Sequence, residues 1–179
     1  MASVGKQFEQ AIKDSVPDDC LVYRLPDPAS AFGQGNNLRF SKKNPFDFII
    51  WNPATKTLFA LELKTVAGKS ISFERERSDN GTIHKHQIDG LREWAKYGGV
   101  VAGFVIEFRE NETTVFLDID MFDKLEKTLT KKSFNLGDLS ELAYTIIPQK
   151  KLRTRYKYDL TYLLNLNSKE DTDYGEGEI

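Results

Sequence analysis

Two β-like runs, residues 46–51 and 57–65, are joined by Asn52-Pro53-Ala54-Thr55-Lys56, a segment with the chemistry of a turn. Runs of this kind around a short turn predict an antiparallel hairpin. Side chains alternate along a strand, so Phe59, Leu61 and Leu63 are expected on one face and Ala60, Glu62 and Lys64 on the other. By the same alternation Phe46, Phe48 and Ile50 are expected to share a face, leaving Asp47 on the opposite side at the strand entrance. The hairpin is thereby expected to carry Asp47 toward Glu62.

Two carboxylates converging in a partly dry site repel each other, and a divalent cation holds both ionised. Mg2+ is the expected cofactor, with Mn2+ as a substitute, because it accepts carboxylate and phosphate oxygens while keeping several waters. Lys64, beside the metal, suits the orientation of an attacking water or the stabilisation of charge on a phosphate. Among the 27 acidic residues only Glu62 stands two positions before a lysine. The same residues also fit a surface hairpin with a cross-strand charge pattern.

The surrounding chain predicts a mixed α/β domain. Val4, Phe8, Ile12 and Val16 recur at helical spacing after Ser3, and residues 20–25 form a short strand. Residues 26–44 are a Pro-, Gly- and Asn-rich loop ending in Arg39, Lys42 and Lys43. A helix is expected over 85–97, stopped by Gly98-Gly99, then strands over 100–108 and 113–117, a helix over 120–130 and a strand over 143–147. His84 and His86 are two positions apart, which does not place them on one helical face and argues against a histidine metal site. The basic run Lys150, Lys151, Arg153, Arg155 and Lys157, interleaved with Tyr156 and Tyr158, suits either a DNA backbone or a solvated edge.

With 179 residues and 40% apolar content the chain is expected to form one domain, residues 1–168, followed by an acidic disordered tail, residues 169–179. That tail has one lysine against five acids, a net of -4, which leaves the first 168 residues at +2 out of a total of -2. A nucleic-acid surface must therefore come from local clusters. The single cysteine, Cys20, excludes an intramolecular disulfide and is expected to be quietly buried. No apolar run reaches the ~18 residues of a membrane span and the N-terminus lacks a signal-peptide core, so a cytoplasmic protein is expected.

The order helix, strand, Asp strand, E-x-K strand, helix, strand over residues 3–108 resembles the PD-(D/E)XK nuclease fold, a central mixed sheet flanked by helices. More narrowly it resembles Holliday-junction resolvases of the RecU type, including those of phages. Gly5-Lys6-Gln7-Phe8-Glu9 is similar to the opening of the family's first helix, Val22-Tyr23-Arg24-Leu25 to the strand leading into its substrate loop, and His86-Gln87-Ile88-Asp89-Gly90-Leu91 to the start of the helix after the catalytic hairpin. The resemblance implies a homodimeric, Mg2+-dependent endonuclease cutting four-way junctions or other branched DNA, in a bacterial or phage-infected cell. It implies catalytic roles for Asp47, Glu62, Lys64, Glu9 and Gln87, metal ligation by Asp47, Glu62 and Glu9, and a DNA contact from Arg24, while Arg39, Lys42 and Lys43 of the loop are expected by their charge to attract the DNA backbone. Two departures stand out: the segment 26–44 is shorter than the family's stalk-like insertion, and one aspartate, Asp47, stands where relatives can carry two acids. A restriction or repair nuclease, or a catalytically silent DNA- or partner-binding module, are the alternative readings.

Overall fold

The computed structural model describes residues 3–26, 43–153 and 156–166. Helix α1 (Val4–Lys13) starts at Ser3, whose hydroxyl accepts from the Lys6 amide at 3.3 Å, and buries Phe8, Ala11 and Ile12. Strand β1 (Leu21–Arg24) precedes the hairpin of β2 (Phe48–Asn52) and β3 (Thr57–Val66). Then come β4 (Ser70–Ser72), helix α2 (Lys85–Trp94), β5 (Val100–Phe108), β6 (Thr113–Asp118) and α3 (Ile119–Thr128). The short elements β7 (Ser133–Asn135), β8 (Thr145–Ile147), β9 (Gln149–Lys151), β10 (Tyr156–Tyr158) and α4 (Thr161–Leu164) follow.

Six strands form a central mixed sheet in the order β1-β2-β3-β5-β6-β8. Among the described strands of this sheet only β3 and β5 pair in parallel, and α2 is the helix of the crossover between them. Both central strands are buried on two faces, as their near-continuous apolar content requires. Under α2 and α3 lies one core, built on Phe73, Phe104, Phe108, Phe122 and Phe134. Against the opposite face α1, β10 and α4 enclose a second, with Phe8, Ile12, Phe48, Phe59 and Leu61. Each such side chain contributes about 1.5–3 kcal/mol of transfer free energy.

The fold class, the hairpin and every helix and strand named from the sequence are present, with ends shifted by a few residues. Phe46 is the exception to the face assignment. It packs in the α2 core, its ring 4.9 Å from that of Trp94, whereas Phe48 and Ile50 lie in the other. The chain bends at Pro45 and Asp47 before β2 begins, so strand alternation does not extend back to Phe46. Cys20 is half-buried, and burial together with the neighbouring Asp19 pushes its thiol pKa up. Among the described residues no helix is long and apolar enough to cross a membrane. The tail, residues 169–179, lies outside the described residues, as do Arg39, Lys42 and Arg155.

Candidate active site

The hairpin register sets Phe48 opposite Leu61, which puts Asp47 level with Glu62. The Asp47 amide donates to the Leu61 carbonyl at 3.1 Å, and its own carbonyl accepts from Leu25 at 2.8 Å, so the backbone is held between β1 and β3. Asp47 Oδ2 accepts from the Leu63 amide at 2.9 Å, turning the carboxylate across the hairpin. Burial raises the Asp47 pKa and the charge of Glu9 adds to it, opposed by the Leu63 amide, Lys64 and Arg24.

Glu62 is only 2% exposed, in the middle of a sheet, where a lone carboxylate is costly. Its Oε1 accepts from Lys64 Nζ at 2.8 Å and from Gln87 Nε2. Its Oε2 is buried and has no hydrogen-bond partner. Burial, with Asp47 repelling from the same side, pushes the Glu62 pKa up to about 8 even though Lys64 opposes the shift. Gln87 sits in the first turn of α2, where its Oε1 accepts from the His84 amide at 2.9 Å, so the helix start aims its amide at Glu62. Gly90 lets α2 come this close. A Cβ there would stand 2.5 Å from Pro45 Cβ and 2.8 Å from the Pro45 carbonyl, in the segment that feeds Asp47.

Glu9 on α1 is engaged differently. Its Oε2 accepts from Arg24 Nε at 2.6 Å and from Lys6 Nζ at 3.3 Å, and its charge reaches Asp47 from that position. The structure thus brings Asp47, Glu62, Lys64 and Gln87 together and holds Glu9 in an ion pair with Arg24, near enough for its charge to act on Asp47. Among the described residues no group of three His, Cys, Asp or Glu side chains is arranged to hold a metal ion. The pair alone nevertheless suits magnesium, which is ordinarily bound through one or two carboxylates and its own waters. The unpartnered Glu62 oxygen, facing no protein donor, is the kind of acceptor such a cation satisfies.

Two features escape sequence reading. His84 and His86 do meet: their rings stack at 5.6 Å and 18°, because His84 is the extended residue before α2 and only His86 is helical. His84 Nδ1 bonds Glu74 Oε1 at 2.8 Å, a carboxylate that also accepts from the Lys85 amide. On the other face, buried Glu107 accepts from Thr65 Oγ1 at 2.6 Å and Tyr158 Oη at 3.0 Å, so Tyr158 of the basic run is a core residue. Neither has a periodic signal: the histidine stack depends on where α2 begins, and the Glu107 contacts join segments distant in the chain.

No protein-family model matches this chain. Among solved structures the Holliday junction resolvase Hjc of Archaeoglobus fulgidus superposes with a TM-score of 0.46 and 14% identity, over 74% of this chain and 88% of that one. The SPbeta prophage-derived uncharacterized protein YotM of Bacillus subtilis is 32% identical over 170 residues, which span 90% of this chain and 83% of YotM. At that identity over nearly the whole length, the chain belongs to the same family as this prophage-derived protein.

Proposed function

We propose that the protein is a metal-dependent DNA endonuclease of the PD-(D/E)XK type, a homodimer that acts on branched DNA in the cytoplasm of a bacterial or phage-infected cell. The observation that carries this reading is Glu62, a carboxylate buried in the sheet with one oxygen unpartnered, level with the half-buried carboxylate of Asp47 and bonded to a lysine two residues on. Burying such a group costs several kcal/mol, which a purely structural hairpin has no reason to bear.

Asp47 and Glu62 are the residues that would hold Mg2+, or Mn2+ in its place. Bound there, the cation supplies positive charge for a phosphodiester oxygen and acidity for a water. Lys64, drawn to Glu62 Oε1 at 2.8 Å, presents its ammonium beside the pair and stabilises charge developing on phosphate. Gln87 fixes the Glu62 rotamer through Oε1, and Oε2, with no protein partner, is left for a ligand. Arg24 holds Glu9 and so restrains the negative charge that faces Asp47. The likeness of the first helix, the Arg24 strand and the α2 start to RecU-type resolvases supports branched DNA as substrate.

Labelled four-way junction, replication fork and linear duplex, incubated with and without Mg2+, test the proposal. Paired nicks in the junction alone are expected. Cutting of linear duplex would instead mark a restriction or repair enzyme, and binding without cutting a silent module.

A further inference from the structure

A cleft of about 950 Å3 opens beside the first turn of α2, walled by Lys43, Arg77, His84, Lys85, His86 and Trp94. Three acids also line it, and each is already engaged. Glu74 accepts from His84 and the Lys85 amide, Asp89 pairs with Lys85, and Glu93 with Lys96 at 2.5 Å. Lys43 and Arg77 have no carboxylate partner among the described residues. The cleft's three cations and three acids balance, but Lys43 and Arg77 are the two cations left outside those pairs, at the surface of the cleft. His86 stands at the join with the acidic pair: it senses Lys43, Lys64, His84 and Glu74, while Gln87, the next residue, bonds Glu62. His84 backs it as a stacked ring fixed by Glu74.

We propose that this cleft is a subsite for the phosphodiester backbone of the strand entering the acidic pair, with Lys43, Arg77 and His86 as its phosphate contacts. The inference rests on the nuclease reading and adds the path by which the strand reaches it. Trp94 and Pro45 add apolar surface to the lining, against which a sugar or base lies. In the free protein burial, and then the charges of Lys43, His84 and Lys64, lower the His86 pKa against Glu74 alone, so the imidazole is neutral at pH 7. A phosphate arriving there favours the imidazolium, so strand binding takes up a proton and strengthens as pH falls. Lys85 and Asp89, on the same helix, are paired with each other and do not supply this dependence.

The test is binding of a fluorescent four-way junction and of a single strand to the full chain in EDTA, at pH 6 and pH 8.5, over a salt series. Lys43→Ala with Arg77→Ala is expected to weaken both ligands at both pH values, and to flatten the salt slope by about two. His86→Ala is expected to weaken binding about fivefold at pH 6 and leave it unchanged at pH 8.5. His86→Gln, which keeps a polar side chain and no titration, is expected to match His86→Ala, separating charge from packing. His86 variants that retain the wild-type pH dependence, or a double variant with the wild-type salt slope, would overturn the subsite while wild-type cleavage left the nuclease reading standing. A wild-type protein that neither binds nor cuts any of the DNAs overturns both.

Discussion

Glu62 has a pKa of about 8 because its charge is buried, and this makes its ionisation a stability effect as well as a functional one. In the unfolded chain the same group titrates near its ordinary value of 4.5. Between those values the folded state holds a proton that the unfolded state has lost, so metal-free protein is expected to lose stability as pH rises from about 4.5 to 8 and to level off above. Each pKa unit corresponds to about 1.4 kcal/mol, so the fall is a few kcal/mol. Glu62→Gln should flatten it, and Mg2+ should stabilise wild type more at pH 8 than at pH 6, both read by thermal melting in EDTA and in Mg2+. An unchanged slope in Glu62→Gln would show that Glu62 does not carry the effect. Asp47→Ala and Glu62→Ala are each expected to abolish cleavage with junction binding in EDTA largely retained. Lys64→Ala should lower turnover about 10²-fold while Mg2+ affinity, measured by calorimetry, changes little, since its charge acts on phosphate.

Helix α2 is the element on which the site depends most. Its first turn supplies Gln87 to Glu62, its middle rests on Pro45 through Gly90, and Arg92 ties it to α3 by bonds of 2.7 Å to Asp123 and to Glu126. Alanine is the better helix former by about 1 kcal/mol, yet Gly90→Ala is expected to lower both melting temperature and cleavage, because the new methyl has to push α2 off the Asp47 segment. A more stable, fully active Gly90→Ala would refute the close approach. This helix also shows what a sequence discloses. Ile88 and Leu91 recur at helical spacing before Gly98-Gly99, and Glu62 and Lys64 alternate with Leu61 and Leu63 after the Asn52–Lys56 turn, so periodicity and stop signals together located α2 and the hairpin. The stacked histidines, the bend that moves Phe46 to the other core, and the pairing of β4 with β7 depend on backbone geometry between elements, and no repeat in the chain encodes it. Glu9 was legible as a residue near the site, but its ion pair with Arg24 was not.

At the scale of the molecule, two cores on opposite faces of one sheet divide the labour. The α2 and α3 side shapes the acidic pair, while α1, β10 and α4 cover the face behind it. Removing residues 151–179 takes away Tyr158, Leu160, Leu163 and Leu164, all buried. Such a truncation is expected to bind a hydrophobic dye and to melt far below wild type or without cooperativity, even though Asp47, Glu62 and Lys64 are all retained. A cooperative, near-wild-type melt would show that the second core is dispensable.

The side chain of Asn52, at the end of β2, donates to the carbonyl of Leu164 at 2.8 Å, across 112 positions of sequence. Ribosomes deliver a chain from its N-terminus, so α1 and the hairpin emerge long before the segment that closes over them. Throughout that interval Phe8, Phe48 and Phe59 have no lid, and the nascent protein presents an oily face to the cell. Synthesis rate and chaperone supply are then expected to affect how much of this protein a cell accumulates, alongside its final stability.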